Sequence, residues 1–159
     1  MSLNARVFLS CGQRPDELDI AKEILDKLYE MGFEPYIALV EQSLLGIKEN
    51  IFRRLQESEY FIFIDFRRER LARFIDENIE DIKVHRGSLF SNQELAIATF
   101  LQDIDVIAFQ EIDVKKEDGI LKYIQANCYP FSDRGNLPDL VIKKVRERGW
   151  IPFWRKELI

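Results

Sequence analysis

The chain has 159 residues, 47% of them hydrophobic, and a formal net charge of −5. That length and composition fit one domain over 1–159 with a sizeable core, and the acidic balance argues against nucleic acid as a partner, because phosphate backbones call for a strongly basic face. There is no secretory signal or long apolar run, and the two cysteines, Cys11 and Cys128, lack metal-ligand spacing, so the expectation is a soluble cytoplasmic protein with reduced thiols and no membrane or metal partner.

Ala5 to Ser10 reads as a short strand, broken by Cys11-Gly12-Gln13-Arg14-Pro15 before a helix with Leu18, Ala21, Ile24, Leu25 and Leu28 on one face. Asp16 is expected as its N-cap and Gly32 as its stop. In parallel sheets ligands gather beyond the carboxyl ends of the strands, which nominates Ser10, Cys11, Gly12 and Gln13, against the plainer reading of an ordinary βα turn. Glu34 to Leu39 is a second strand, followed by a polar connection through Glu41, Gln42 and Ser43 and a helix from about Gly46 to Glu57 with Ile47, Ile51, Phe52 and Leu55 facing the sheet.

Tyr60 to Phe66 is apolar almost without alternation, as a central parallel strand buried on both faces should be. Asp65 at its end either holds a ribose hydroxyl or orients an arginine, or else caps the next helix. From Arg67 to about Lys83 the spacing of Leu71, Phe74, Ile75, Ile79 and Ile82 predicts a helix. Arg67, Arg68, Arg70 and Arg73 would crowd its positive end, an arrangement suited to a pyrophosphate unless they pair with Asp76, Glu77, Glu80 and Asp81. Asp105 to Phe109 and Asn127 to Phe131 supply the fourth and fifth strands, with a helix around Ile120 to Ile124 between them. A last helix carries Leu140 to Val145 up to Gly149, and the aromatic tail 150–159 is expected to pack back on the body. The alternation predicts a three-layer, flavodoxin-like α/β fold, a parallel sheet of about five strands with helices on both faces.

Chemistry concentrates in Arg86 to Ala96, where a polar, glycine-containing loop runs into a helix and Glu94 borders the apolar stripe of Ile97, Ala98 and Leu101. A carboxylate so placed can have a raised pKa and can act as nucleophile or base, whereas Ser91-x-x-Glu94 is equally the spacing of a capping box. With His85 the sole histidine, carboxylate chemistry is favoured over Ser-His or Cys-His chemistry.

A strand ending in Ser10-Cys11-Gly12, the segment Tyr36-Ile37-Ala38, a hydrophobic strand ending in Asp65 and Ser91-x-x-Glu94 opening a helix together resemble the TIR-domain superfamily across most of Ala5 to Gly149. In its enzymatic members the glutamate at the position of Glu94 is essential for cleaving the nicotinamide–ribose bond of NAD, and the related nucleoside 2-deoxyribosyltransferases place a nucleophilic glutamate similarly. The resemblance implies an NAD glycohydrolase or cyclase in signalling or defence, with NAD as substrate, no required cofactor and TIR-type self-association. It also implies roles in substrate binding: Tyr36 and Phe66 with the Ser10–Gln13 loop around the base, and Ser88, Ser91, Arg86 and Arg67 on hydroxyls or phosphates. Asn92-Gln93 stands where many TIR enzymes have a tryptophan-cysteine pair. A non-catalytic interaction module and a deoxyribosyltransferase-like enzyme are the alternatives.

Overall fold

Strands with apolar side chains on both faces must be covered on both faces, and that requirement sets the layers here. The computed structural model describes residues 3–37, 44–100, 104–116, 122–123 and 126–153. Strands β1 (Arg6–Cys11), β2 (Glu34–Ile37), β3 (Tyr60–Asp65), β6 (Asp105–Glu111) and β7 (Tyr129–Phe131) form one five-stranded sheet in the order β2-β1-β3-β6-β7, every pairing parallel. This is the flavodoxin-like order, with its switch point between β1 and β3.

The period of two along each strand sorts side chains cleanly. Val7, Leu9, Cys11, Ile62, Ile64 and Phe109 face α1 (Pro15–Glu30) and the C-terminal helix α5 (Leu137–Arg148), against Ile24, Leu28, Val141 and Val145. Phe8, Phe61, Phe63 and Ala108 face the other way, toward Leu95 and Ala98 of α4 (Leu89–Phe100) and toward Ile51 and Leu55. The last two belong to a helical run made of α2 (Leu44–Gly46), a π-helical stretch (Ile47–Phe52) and α3 (Arg53–Gln56). The wider π winding leaves Phe52 exposed, although the sequence periodicity assigned it to the sheet side.

Pro15 opens α1, so Asp16 lies in the first turn rather than at the N-cap, and the cap is reinforced by Glu17, whose Oε2 accepts from the Arg14 amide at 3.1 Å. Gly149 ends α5 in the left-handed region at φ 73. Beyond it Trp150 stacks on Tyr60 at 4.3 Å and donates to Asp105 at 2.7 Å, while the Ala5 amide bonds Pro152. The described part of the tail therefore packs back; residues 154–159, the loop through Glu41, Gln42 and Ser43, and most of the helix expected around Ile120 to Ile124 lie outside the described residues.

The largest departure from the sequence reading lies between β3 and α4. Residues 67–83 do not form a helix but the antiparallel hairpin β4 (Arg70–Ile75) and β5 (Asn78–His85), inserted between β3 and α4 at the carboxyl edge of the sheet. Asp76 and Glu77 form its two-residue turn with φ 47 and 65, the positive pair that a type I′ turn needs. Across the strands Arg73 pairs with Glu80 at 2.8 Å, and Arg70 pairs with Asp81. Those arginines are thus neutralised within the hairpin instead of crowding a helix start.

Candidate active site

Two consequences of the strand period converge at the switch point between β1 and β3. Ser10 and Asp65, each at or next to the last residue of its strand, both point to the α4 side, and α4 brings Glu94 onto Ser10. Ser10 Oγ donates to Glu94 Oε2. Glu94 is only 3% exposed, and its other oxygen, Oε1, has no hydrogen-bond partner among the described residues.

Burial pushes the Glu94 carboxyl up to about 7, and the Ser10 bond opposes that rise without cancelling it. Buried carboxylates normally find donors for both oxygens, because each unmet acceptor carries a desolvation penalty. A half-satisfied buried carboxylate at the ligand edge of a parallel sheet makes Glu94 the candidate functional group of this edge. The capping reading fails on geometry: α4 begins at Leu89, which puts Ser91 inside its first turn and Glu94 in its second, with the carboxylate turned to Ser10. The Ser91 side chain lies outside the described residues.

Asp65, at the end of β3, anchors the loop that launches α4. Its Oδ1 accepts from the Ser88 amide at 2.9 Å and its Oδ2 from the Gln110 side chain at 3.2 Å. Gly87 passes so close that a Cβ there would lie 2.4 Å from Asp65 Oδ1. The Ser88 amide is thereby fixed on Asp65 at the carboxyl edge of the sheet, and Gln110 joins it there, a residue that was not anticipated. A signal for it existed, since Gln110-Glu111 is a polar pair closing an otherwise apolar strand.

Other nominated residues go elsewhere. Strand alternation turns Cys11 to the opposite face, into the α1 core, and burial together with the charges of Glu17 and Glu94 pushes its thiol up to about 12. Phe66 is buried against Phe131 at 5.9 Å and under the Arg134 guanidinium at 5.0 Å, so it packs the core instead of stacking a base. Tyr36 sits lower on the sheet: its ring meets Phe8 at 5.6 Å and its hydroxyl donates to the Asn50 carbonyl at 3.1 Å. Gly12 and Gln13 lie in the loop entering α1, Gly12 buried and Gln13 half-buried. The Arg67 amide donates to Glu111 at 2.7 Å and its guanidinium is 3.8 Å from Asp113. Arg86 is exposed, and its backbone closes the hairpin base against Arg68 and Glu69. His85 holds the Arg68 carbonyl through Nδ1 at 2.7 Å.

Among the described residues no group of three His, Cys, Asp or Glu side chains is placed to hold a metal ion, and no described helix is long and apolar enough to cross a membrane. The sequence matches no protein-family model and no curated protein. Among solved structures it is similar to a 2-deoxyribosyltransferase from the psychrotolerant bacterium Bacillus psychrosaccharolyticus, described as a biocatalyst for the synthesis of antiviral and antitumoral nucleosides. The two share 11% identity over 85% of this chain and 91% of that one, with a TM-score of 0.48. A fold shared at that identity does not fix a chemistry, which must follow from the site's own groups.

Proposed function

We propose that this chain breaks the N-glycosidic bond of a nucleoside-type small molecule, with Glu94 as the nucleophile. The observation that carries the reading is the buried Oε1 of Glu94 at the β1/β3 switch point, without a hydrogen-bond partner among the described residues while its twin oxygen is held by Ser10. In the step proposed, Oε1 attacks C1′ of the sugar and the C1′–N bond breaks. Its electron pair leaves on the base nitrogen, which takes a proton, and a glycosyl ester remains on Glu94. A second base or water then attacks C1′ and frees the carboxylate, giving transfer or hydrolysis. A helix-capping role, on which a purely non-catalytic reading of Glu94 relies, is at odds with its contact to Ser10.

The nicotinamide–ribose bond of NAD belongs to the same class of bond, and the TIR resemblance puts it second. The arginines that suggested a pyrophosphate grip are engaged internally, Arg68 with Glu17, Arg70 with Asp81 and Arg73 with Glu80. That favours an uncharged nucleoside. Incubation with 2′-deoxynucleosides is expected to release free base and to leave one deoxyribosyl unit on the peptide containing Glu94, read by mass spectrometry. Nicotinamide release from NAD with no such adduct would transfer the reading to NAD, and release of neither would end it.

The nucleophile must be ionised, so kcat/KM should rise through an acid limb near the Glu94 value of about 7. Ser10→Ala removes the hydrogen bond that, among the described residues, favours the carboxylate. The limb is then expected to move to higher pH and turnover at pH 7 to fall, as pH–rate profiles of the two proteins would show. An unmoved limb would separate Ser10 from the reacting group.

A further inference from the structure

The amino end of α1 faces the same carboxyl edge as Glu94. In α/β folds that end is the natural seat of a substrate phosphate, because free backbone amides and the helix dipole both favour an anion there. In this chain an anion is already in place. Glu17 is 1% exposed; its Oε2 accepts from the Arg14 amide at 3.1 Å, and Arg68 grips both carboxylate oxygens, at 3.1 and 2.9 Å. Gly12 makes this approach possible, since a Cβ there would lie 1.9 Å from Glu17 Oε2.

This pair and the Glu94 site meet across the turn after β1: Ser10 donates to Glu94, and two residues on, Glu17 and Arg68 lie over Gly12. The Cys11 thiol lies in the field of both Glu17 and Glu94. Arg68, held above its usual pKa chiefly by the Glu17 bond, also feels Asp65. A cation that would otherwise meet a phosphate is therefore committed to a buried carboxylate. The next arginine along the edge, Arg134, is likewise committed to Glu111 at 2.9 Å and Asp16 at 2.8 Å.

Resting on the reading of Glu94 above, we propose that Glu17 is a specificity-determining residue: it fills the phosphate seat at the start of α1 with the chain's own carboxylate, so that the site takes nucleosides and rejects their 5′-phosphates. The discrimination is one of occupancy and charge balance: Glu17 takes the Arg14 amide and compensates Arg68, so an incoming phosphate finds a neutral pair in place of a cation, and losing one such charge–charge attraction changes affinity by about tenfold or more.

The test is calorimetric titration of the full chain with 2′-deoxyadenosine and with its 5′-monophosphate, for wild type and Glu17→Gln. Wild type is expected to bind the nucleoside at least about 30-fold more tightly, and Glu17→Gln, which keeps the shape and the Arg68 contact but not the charge, to narrow that ratio at least about tenfold. Glu17→Asp, which keeps the charge, should preserve the preference. Should Glu17→Gln fail to fold, wild type still decides, since an uncompensated Arg68 at the seat would make it bind the 5′-monophosphate at least as tightly as the nucleoside. Equal binding of the two ligands by wild type, or a ratio indifferent to Glu17→Gln, overturns the proposal. Base release that depends on Glu94 is read separately, so a protein that passes that assay but binds both ligands alike loses only the role given to Glu17; a protein that binds neither ligand loses both.

Discussion

Glu94→Gln is expected to lower base release by on the order of 10³-fold or more while the protein stays folded and, above pH 7, becomes more stable than wild type. The amide keeps the shape and can still accept from Ser10, but it has no charge with which to attack C1′. The stability change follows from linkage. In the unfolded chain a glutamate ionises near 4.5, in the folded chain Glu94 does so at about 7. Below 4.5 both states hold the proton and there is no penalty. As pH rises from 4.5 toward 7 the unfolded state gives up its proton first, so wild-type stability is lost across that window and stays lost above it. Glutamine does not titrate. Between pH 5 and pH 8 the stability difference should therefore move by about 2–3 kcal/mol in favour of Glu94→Gln, taking 1.36 kcal/mol per pKa unit as the order of magnitude. Urea denaturation of both proteins at the two pH values measures it, and comparing the differences cancels any fixed cost of burying the amide. Parallel pH dependence of the two proteins would mean that Glu94 titrates normally and has not been sacrificed for chemistry.

The sheet was legible because its central strands carry nearly unbroken apolar runs, and Tyr60 to Asp65 reads as a strand at any register. The hairpin was not. Leu71, Phe74, Ile75, Ile79 and Ile82 satisfy helical spacing, and the reversal at Asp76-Glu77 lacks the glycine or asparagine that usually announces a type I′ turn. Its cross-strand ion pairs, Arg73 with Glu80 and Arg70 with Asp81, are visible only once the turn is known.

At the site, Glu94 could be singled out from its place beside an apolar stripe, and Ser10 from its strand end. Nominating Ser10 and Cys11 together ignored the strand period, which puts only one of two neighbours on the α4 side. Phe66 looked like a stacking platform because sequence does not tell an exposed strand end from a buried one. The partners of Glu17 and Glu111, at Arg68 and Arg134, are 51 and 23 residues away in the chain, and no local pattern joins them.

Arg134→Met is expected to destabilise the fold by about 2–4 kcal/mol, because it strands a buried charge rather than deleting a surface pair. Glu111 is 3% exposed, and Arg134 supplies most of its donors: Nε lies 3.1 Å from each carboxylate oxygen and Nη2 is 2.9 Å from Oε2. The same guanidinium bonds Asp16 at 2.8 Å and the Arg67 carbonyl at 2.7 Å. It thus ties β6, α1 and the start of the hairpin insertion together at one point. Methionine can still cover Phe66 but donates nothing, which leaves Glu111 with the Arg67 amide. Removing both charges is a different matter, since an apolar or neutral replacement of a whole buried pair is often close to neutral. Arg134→Met combined with Glu111→Gln should therefore recover much of the loss, and a double-mutant cycle in urea would read the coupling directly. Additive losses in that cycle would mean that Arg134 acts through Asp16 and the Arg67 carbonyl instead.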